Sequence, residues 1–407
     1  MIEMSFVRAH GRLLAAGMVL TFSSAFGQTY FIALFAGFFR QEFSLSHGDY
    51  GGLYMIGTLA SAATLIYAGA LADRMSARAL GAAVLLGLGL VSVVMALVPS
   101  WFVLLLAFYL LRLLGQGMAS HVSITAMVRW FDAHRGRAIS IAALGHPAAQ
   151  AVLPLAAVAS ISQFGWRASW GFGAVFLIGV ALPLLWWLLR AEPREAVEAA
   201  SPRSGRAAGM RQWGRREVLG DPLFYAIMAG VLAPAFIGTG VIFHQVHIVA
   251  VKGWTIVQFA AGFPVFAAAG VLAALTAGWA IDKWGPRRLL PVYLLPQLAG
   301  LLSLAFGTDP VWIFAYMASA GITMGFSAAF VNTLLVELYG QRNQGAIRAL
   351  AMSGMVFASA LSPYVLGVLI DNGIAVETLV LWMALYSGLT VPFYIAIAPA
   401  ISLREAA

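Results

Sequence analysis

Few residues of this sequence have side chains suited to chemistry, and those few are set into long apolar runs. Arg112 lies in the middle of a run at about 100–128, with Gln116 one helical turn on and on the same face. His146 and Gln150 stand four apart in a second run, and His244 and His247 three apart in a third. Gln28, Tyr30 and Asn332 are further polar positions within apolar surroundings. No acidic residue sits at comparable depth in any run. A guanidinium so placed could hold a carboxylate through two parallel hydrogen bonds, and an imidazole, titrating near neutral pH, could carry a proton. The arginine could equally be structural, bonded to backbone carbonyls, and each histidine could donate one bond inside a packed interface. His244 and His247 have the spacing of metal ligands but no carboxylate beside them, so no metal site is expected. No cofactor is expected, and an ATP-driven pump is disfavoured because no G-x-x-x-x-G-K-[ST] loop is present. The chain has no cysteine, which removes thiolate ligands and disulfides.

The elements that position these residues follow from hydropathy. Hydrophobic residues make up 61% of the 407 and charged residues 10%, against about 25% charged in a soluble domain. Apolar runs fall at about 11–38, 48–72, 79–98, 100–128, 137–163 and 168–189. They resume at about 222–250, 256–281, 288–307, 311–337, 344–370 and 376–400. Each is long enough for a membrane-spanning helix of about 20 residues. The first, from Leu13 to Phe39, is too long for the apolar core of a signal peptide, about 7–15 residues, and is read as span one. Runs of this length lack the alternation of a membrane β-barrel. The fold class is therefore an all-α membrane protein of twelve spans. The polar stretch Arg190 to Asp221, rich in Arg with Pro, Ser and Gly, divides the chain into 1–190, a linker 191–221 and 222–407. A short surface helix near Trp213 is compatible with it.

Basic residues are distributed unevenly. Twenty of the 24 Lys and Arg fall on the side that carries both termini and the linker. They include Arg8, Arg12, Arg74, Arg78, Arg129, Arg287, Arg288 and Arg404. Only Arg40, Arg167 and Lys252 fall on the opposite side, and Arg112 lies within a span. The positive-inside rule then places both termini in the cytoplasm, in a bacterial inner (plasma) membrane. The net charge of +8 is a topology signal, with nothing in it pointing to nucleic acid.

Two loops repeat. Gly69-Ala-Leu-Ala-Asp73-Arg74-Met-Ser-Ala-Arg78, after span two, aligns with Gly278-Trp-Ala-Ile-Asp282-Lys283-Trp-Gly285-Pro-Arg287-Arg288, after span eight. The offset is 209 residues, and the same offset superposes Gly136-Arg-Ala-Ile-Ser on Gly345-Ala-Ile-Arg348-Ala. The chain is thus a tandem of two parallel six-helix halves. The repeated loop resembles the signature G-x-x-x-D-[RK]-x-G-x-[RK]-[RK] of the major facilitator superfamily. The second copy matches in full, and the first has Ser76 in place of glycine and Ala79 in place of a second basic residue. Arg112-Leu-Leu-Gly115-Gln116-Gly117 resembles a second pattern of that superfamily. Arg129-Trp-Phe-Asp132-Ala-His-Arg135-Gly136-Arg137, Gly165-Trp166-Arg167 and Phe243-His244-Gln245-Val246-His247 look like its bacterial monocarboxylate and oxalate–formate branch.

The resemblance implies two six-helix bundles, alternating access and a cytoplasmic latch made by Gly69, Asp73, Arg74, Arg78, Gly278, Asp282, Lys283, Gly285, Arg287 and Arg288. It implies a monomeric secondary transporter, not an enzyme, carrying a small organic anion, a monocarboxylate, with a proton. Carriers of that branch usually place a basic residue in span eight, and here Ile256 to Ile281 has none. The counter-charge would then come from Arg112 or protonated histidines, with Gln116, Gln28, Tyr30, His146, Gln150, His244, His247 and Asn332 around the substrate. The rival reading is a proton-coupled drug efflux antiporter, which would ordinarily use a carboxylate within the membrane. Phe263 and Phe266 either wall a cavity or pack, and Glu337 is expected to pair with Arg342 or Arg348.

Overall fold

In hydrocarbon every backbone N–H and C=O needs a partner within the chain, which leaves long apolar segments little choice but the helix. The computed structural model describes residues 4–131, 133–192 and 212–403, and among them every regular element is helical. Among the described residues ten helices are long and apolar enough to cross a membrane, from His47–Arg74 (span two) to Val376–Pro399 (span twelve). Span one is a broken pair, Phe6–Gly27 and Thr29–Glu42, bent by 46°. Span nine is the short apolar helix Leu295–Phe306, preceded by turns where the hydropathy run had begun. Every apolar run thus contains helix at its expected place, with span nine starting later than its run. Most of the expected linker, 193–211, lies outside the described residues, as do Asp132 and Arg404. Its described end carries the five-residue helix Arg215–Leu219 beside Trp213.

The chain forms two compact units. One comprises 1–199 with 242–247, and the other 200–241 with 248–407. Within the first, span two packs on span four (Trp101–Trp130), and span three (Ala77–Ala96) on span six (Trp166–Leu188). Within the second, span eight (Ile256–Trp284) packs on span ten (Val311–Tyr339), and span nine on span twelve. The same neighbours recur at the sequence offset, so the repeat extends from loop motifs to packing.

The two signature loops are built differently. Gly285 ends span eight with φ +75°, a left-handed conformation that only glycine adopts without strain. Its counterpart Ser76 has φ −66° and ψ 146°, and its hydroxyl accepts from the Ala79 N–H at 3.2 Å, capping span three. A glycine is not needed there, and a serine is useful. Glu192 adds to this cap, accepting from Ala77 N at 2.8 Å and Arg78 N at 3.0 Å, a carboxylate on a helix N-terminus. Arg129, from the end of span four, donates to the carbonyls of Ala72 and Met75. His121 Nε2 lies 3.1 Å from the Gly69 carbonyl. In the second loop Arg287 pairs with Glu337 at 2.8 Å, a correction to the expected Arg342 or Arg348.

Gly285→Ala should lower stability by about 1–2 kcal/mol, the cost of a Cβ in the left-handed region. Ser76→Gly, which loses only a cap, should cost a few tenths. Thermal unfolding of the detergent-solubilised variants checks the order. Equal shifts would contradict the assigned conformations.

Candidate functional site

Most of the polar positions picked out by sequence collect around the break in span one. Phe31 N–H would ordinarily donate to the Gly27 carbonyl, but it donates to Gln28 O instead, at 3.2 Å. Gln28 itself is extended, at φ −87° and ψ 149°. The Gly27 carbonyl is thereby released inside the protein. Arg112 Nη1 donates to it at 3.1 Å. Arg112 begins a π-helical stretch, Arg112–Ala119, in the middle of span four, a geometry often found at functional sites.

This docking requires bare backbone on both sides. A Cβ on Gly27 would meet Gln116 N at 2.8 Å and Gly115 Cα at 2.8 Å, and one on Gly115 would meet Gly27 Cα at 2.7 Å. Spans one and four therefore touch glycine to glycine, the close approach that small residues permit in membranes. Tyr54 of span two, fully buried, completes the cradle. Its ring centroid lies 5.2 Å from the guanidinium carbon of Arg112, and its hydroxyl is 2.6 Å from Thr29 Oγ1. A buried arginine facing an aromatic ring gains from the ring's quadrupole.

Arg112 is 2% exposed, and among the described residues no carboxylate lies within ion-pair distance of it. Its Nε is buried with no hydrogen-bond partner. Gln28 and Gln116 are half-buried beside it. Tyr30 is buried, its ring 6.1 Å from that of His146 at the start of the longer helix of span five, Gly145–Phe164. Gln150, one turn further along, is 7% exposed. In the same unit the segment 242–247 brings Gln245 Nε2 to the Tyr30 carbonyl, 3.1 Å away. That segment also carries His244 and His247. Their ring centroids lie 5.9 Å and 4.4 Å from that of His47, at the start of span two.

The remaining candidates lie elsewhere. Asn332 belongs to the second unit and donates to Ala328 O of its own helix at 2.7 Å. Phe263 and Phe266 are buried in that unit. Asp73, Arg74, Asp282, Lys283 and Arg288 of the latch loops are exposed, and Lys283 Nζ lies 4.8 Å and 5.3 Å from the rings of Trp279 and Trp284. A Cβ on Gly69 would meet Leu65 O at 2.9 Å, whereas one on Gly278 would meet open space. Sequence reading missed Thr29, Tyr54, His47 and Gln245. Thr29 and Tyr54 carry no charge or motif spacing that marks them in the sequence, and Gln245 lies between His244 and His247. Placed together, these groups offer an unneutralised guanidinium, neutral amide donors and imidazoles close to a break in the backbone.

Gly115→Ala and Gly27→Ala should each disrupt the docking of spans one and four, at the 1–3 kcal/mol typical of overpacking or more. Gly278→Ala, in open space, should be nearly neutral. Melting temperatures of the purified proteins check this, and an unaltered Gly115→Ala would contradict the glycine contact.

The family model described as Major Facilitator Superfamily matches residues 17–363. An uncharacterized 38 kDa protein from the 23S RNA operon of Thermoproteus tenax is 28% identical over 302 residues, 73% of each chain. A bacterial homolog of the human lysosomal transporter Spinster, in an inward-facing and unoccupied conformation, superposes with TM-score 0.68. It is 17% identical, and the match covers 98% of this chain and 97% of that one. The nucleoside transporter NupG gives 0.67 at 12% identity, with 96% and 98% covered. At these identities the structural likenesses speak for the fold alone, while the family match extends over most of the chain. The chain belongs to the Major Facilitator Superfamily and is a multi-pass membrane transporter, not an enzyme.

Proposed function

We propose that this transporter moves a small organic anion of the monocarboxylate class together with a proton. It does so by alternating access, as a monomer, in a bacterial inner membrane with both termini cytoplasmic. One observation carries the reading: Arg112 is a buried midspan guanidinium with an unpartnered Nε and, among the described residues, no carboxylate within ion-pair distance. Of its five N–H donors, the Gly27 carbonyl accounts for one. A charge kept at such depth is costly and tends to mark a substrate or ion path. A substrate carboxylate would satisfy the remaining donors and the charge at once.

Gln28, Gln116 and Gln150 would complete the anion's hydrogen bonds, with Tyr30 alongside. His146, His244 and His247 are the candidates for the coupling proton, since anion and proton together need no acidic residue in the membrane. The two signature loops, Gly69 to Arg78 and Gly278 to Arg288, would tune exchange between conformations without touching substrate. Their basic residues, with those of the linker, support the proposed orientation.

Proteoliposome uptake of labelled small monocarboxylates and of oxalate, with and without an acidic exterior, tests the proposal. Saturable uptake stimulated by the acidic exterior is expected. Arg112→Gln should lower kcat/KM by about 10- to 100-fold, the loss of a charge-assisted hydrogen bond. Glutamine keeps an N–H donor on a shorter side chain, and an unaltered melting temperature would separate loss of substrate binding from loss of folding. Unchanged affinity in that variant would remove Arg112 from the site. Absence of uptake for every acid, in a folded and inserted preparation, would overturn the anion reading.

A further inference from the structure

The lipid-facing side of the first unit carries a groove where the start of span three meets the end of span six. Its volume is about 590 Å³, and Ala82, Ala83, Leu86 and Leu182 wall its apolar length, with Arg78 and Arg190 at one end. Trp186 and Trp187 form the rim and are 49% and 52% exposed. The Arg78 guanidinium carbon sits 3.9 Å from the centroid of Trp186, and that of Arg190 lies 5.5 Å from Trp187. Both cations are therefore held at the end of the groove by stacking, at the level where aromatic and basic residues meet lipid headgroups.

Among the described residues neither cation has an ion-pair partner. Glu192, the nearby carboxylate, accepts from the backbone N–H groups of Ala77 and Arg78 and makes no ion pair with either arginine among the described residues. Arg78 Nε is buried and has no hydrogen-bond partner. An apolar channel open to hydrocarbon, ending in two arginines with a spare buried donor, has the chemistry of one ligand class. We propose that the groove holds an anionic phospholipid, an acyl chain along Leu86 and Leu182 and the phosphate between Arg78 and Arg190. Fixed basic charge at a membrane boundary attracts anionic headgroups, and the groove makes that attraction local to one place. The site is distinct from the Arg112 cradle and does not depend on which substrate is carried.

The test uses the full-length protein in vesicles that contain trace photoactivatable phosphatidylglycerol or, in parallel, phosphatidylcholine of the same chain length. Adducts are mapped by mass spectrometry of peptides. Phosphatidylglycerol should label the peptides containing 78–86 and 182–190 about 30-fold more than phosphatidylcholine does, as two basic contacts imply. Arg78→Gln/Arg190→Gln should bring labelling down to the phosphatidylcholine level. Because Arg78 could matter for folding, Ala83→Trp, which fills the groove and keeps both charges, serves as a second variant and should also abolish the preference. Equal labelling by the two lipids, or labelling unchanged in either variant, would overturn the proposal. So would displacement by millimolar inorganic phosphate, which would indicate a site for small anions.

Discussion

A peptide carbonyl that loses its helical donor inside a membrane must find another, because neither water nor lipid supplies one there. Span one loses such a donor at Gly27, where the helix restarts one residue late, and the guanidinium of Arg112 replaces it. Much of the surrounding architecture follows from that bond. For Arg112 to reach Gly27, spans one and four must approach to backbone contact, which only Gly27 and Gly115 allow. The same approach fits the widened turn of the π-helical stretch that Arg112 begins. Tyr54, anchored by Thr29, covers the guanidinium from span two. A break that would otherwise be a defect becomes the joint around which three spans are assembled.

The sequence left two readings of Arg112 open, as a structural bond to a backbone carbonyl or as an anion receptor. The geometry makes them compatible. A guanidinium is a rigid fork of five donors, and the Gly27 bond orients the fork while leaving Nε unpartnered. Preorganisation of this kind lowers the cost of ordering a donor when a ligand arrives. The structural bond thus prepares the group for the role proposed for it. Gln245 extends the same logic, since it reaches the Tyr30 carbonyl just past the break. A change in the backbone between Gly27 and Tyr30 would therefore be felt by Arg112, Tyr54, His146 and Gln245 together.

How legible was this in sequence? The helices were legible because an apolar run of some twenty residues has few alternatives in a bilayer. Their interruptions were not. Pro154, Pro234 and Pro363 all lie inside continuous helices, whereas spans one and seven break at Gln28 and His244 with no adjacent proline. Only the break of span five, at Leu144, lies just before one, Pro147. In membranes a proline's lost bond is often made good by neighbours, so the strongest local signal for a kink is a weak one. The break at Gln28 depends on Gly115, some ninety positions away in the chain, and no local pattern reveals it. Within the candidate site, Arg112 stood out by depth alone, while its carbonyl partner and Tyr54 could be found only by contact. Asn332 shows the converse, since a polar residue in a span can satisfy itself on its own helix.

The two signature loops show how a duplicated chain diverges without losing its charge pattern. Both copies keep a glycine, an aspartate and a following basic residue at the same spacing. The second turns its chain through a left-handed glycine and ties Arg287 to Glu337. The first turns through a serine cap, braces the new helix with Glu192 and hands its loop carbonyls to Arg129. At the 209-residue offset Glu337 corresponds to Val128, which offers Arg78 no carboxylate, and the Arg78 guanidinium stacks on Trp186. A departure from the motif at one residue is therefore one part of a wider local difference, in which a cation with no ion-pair partner among the described residues sits at the lipid boundary.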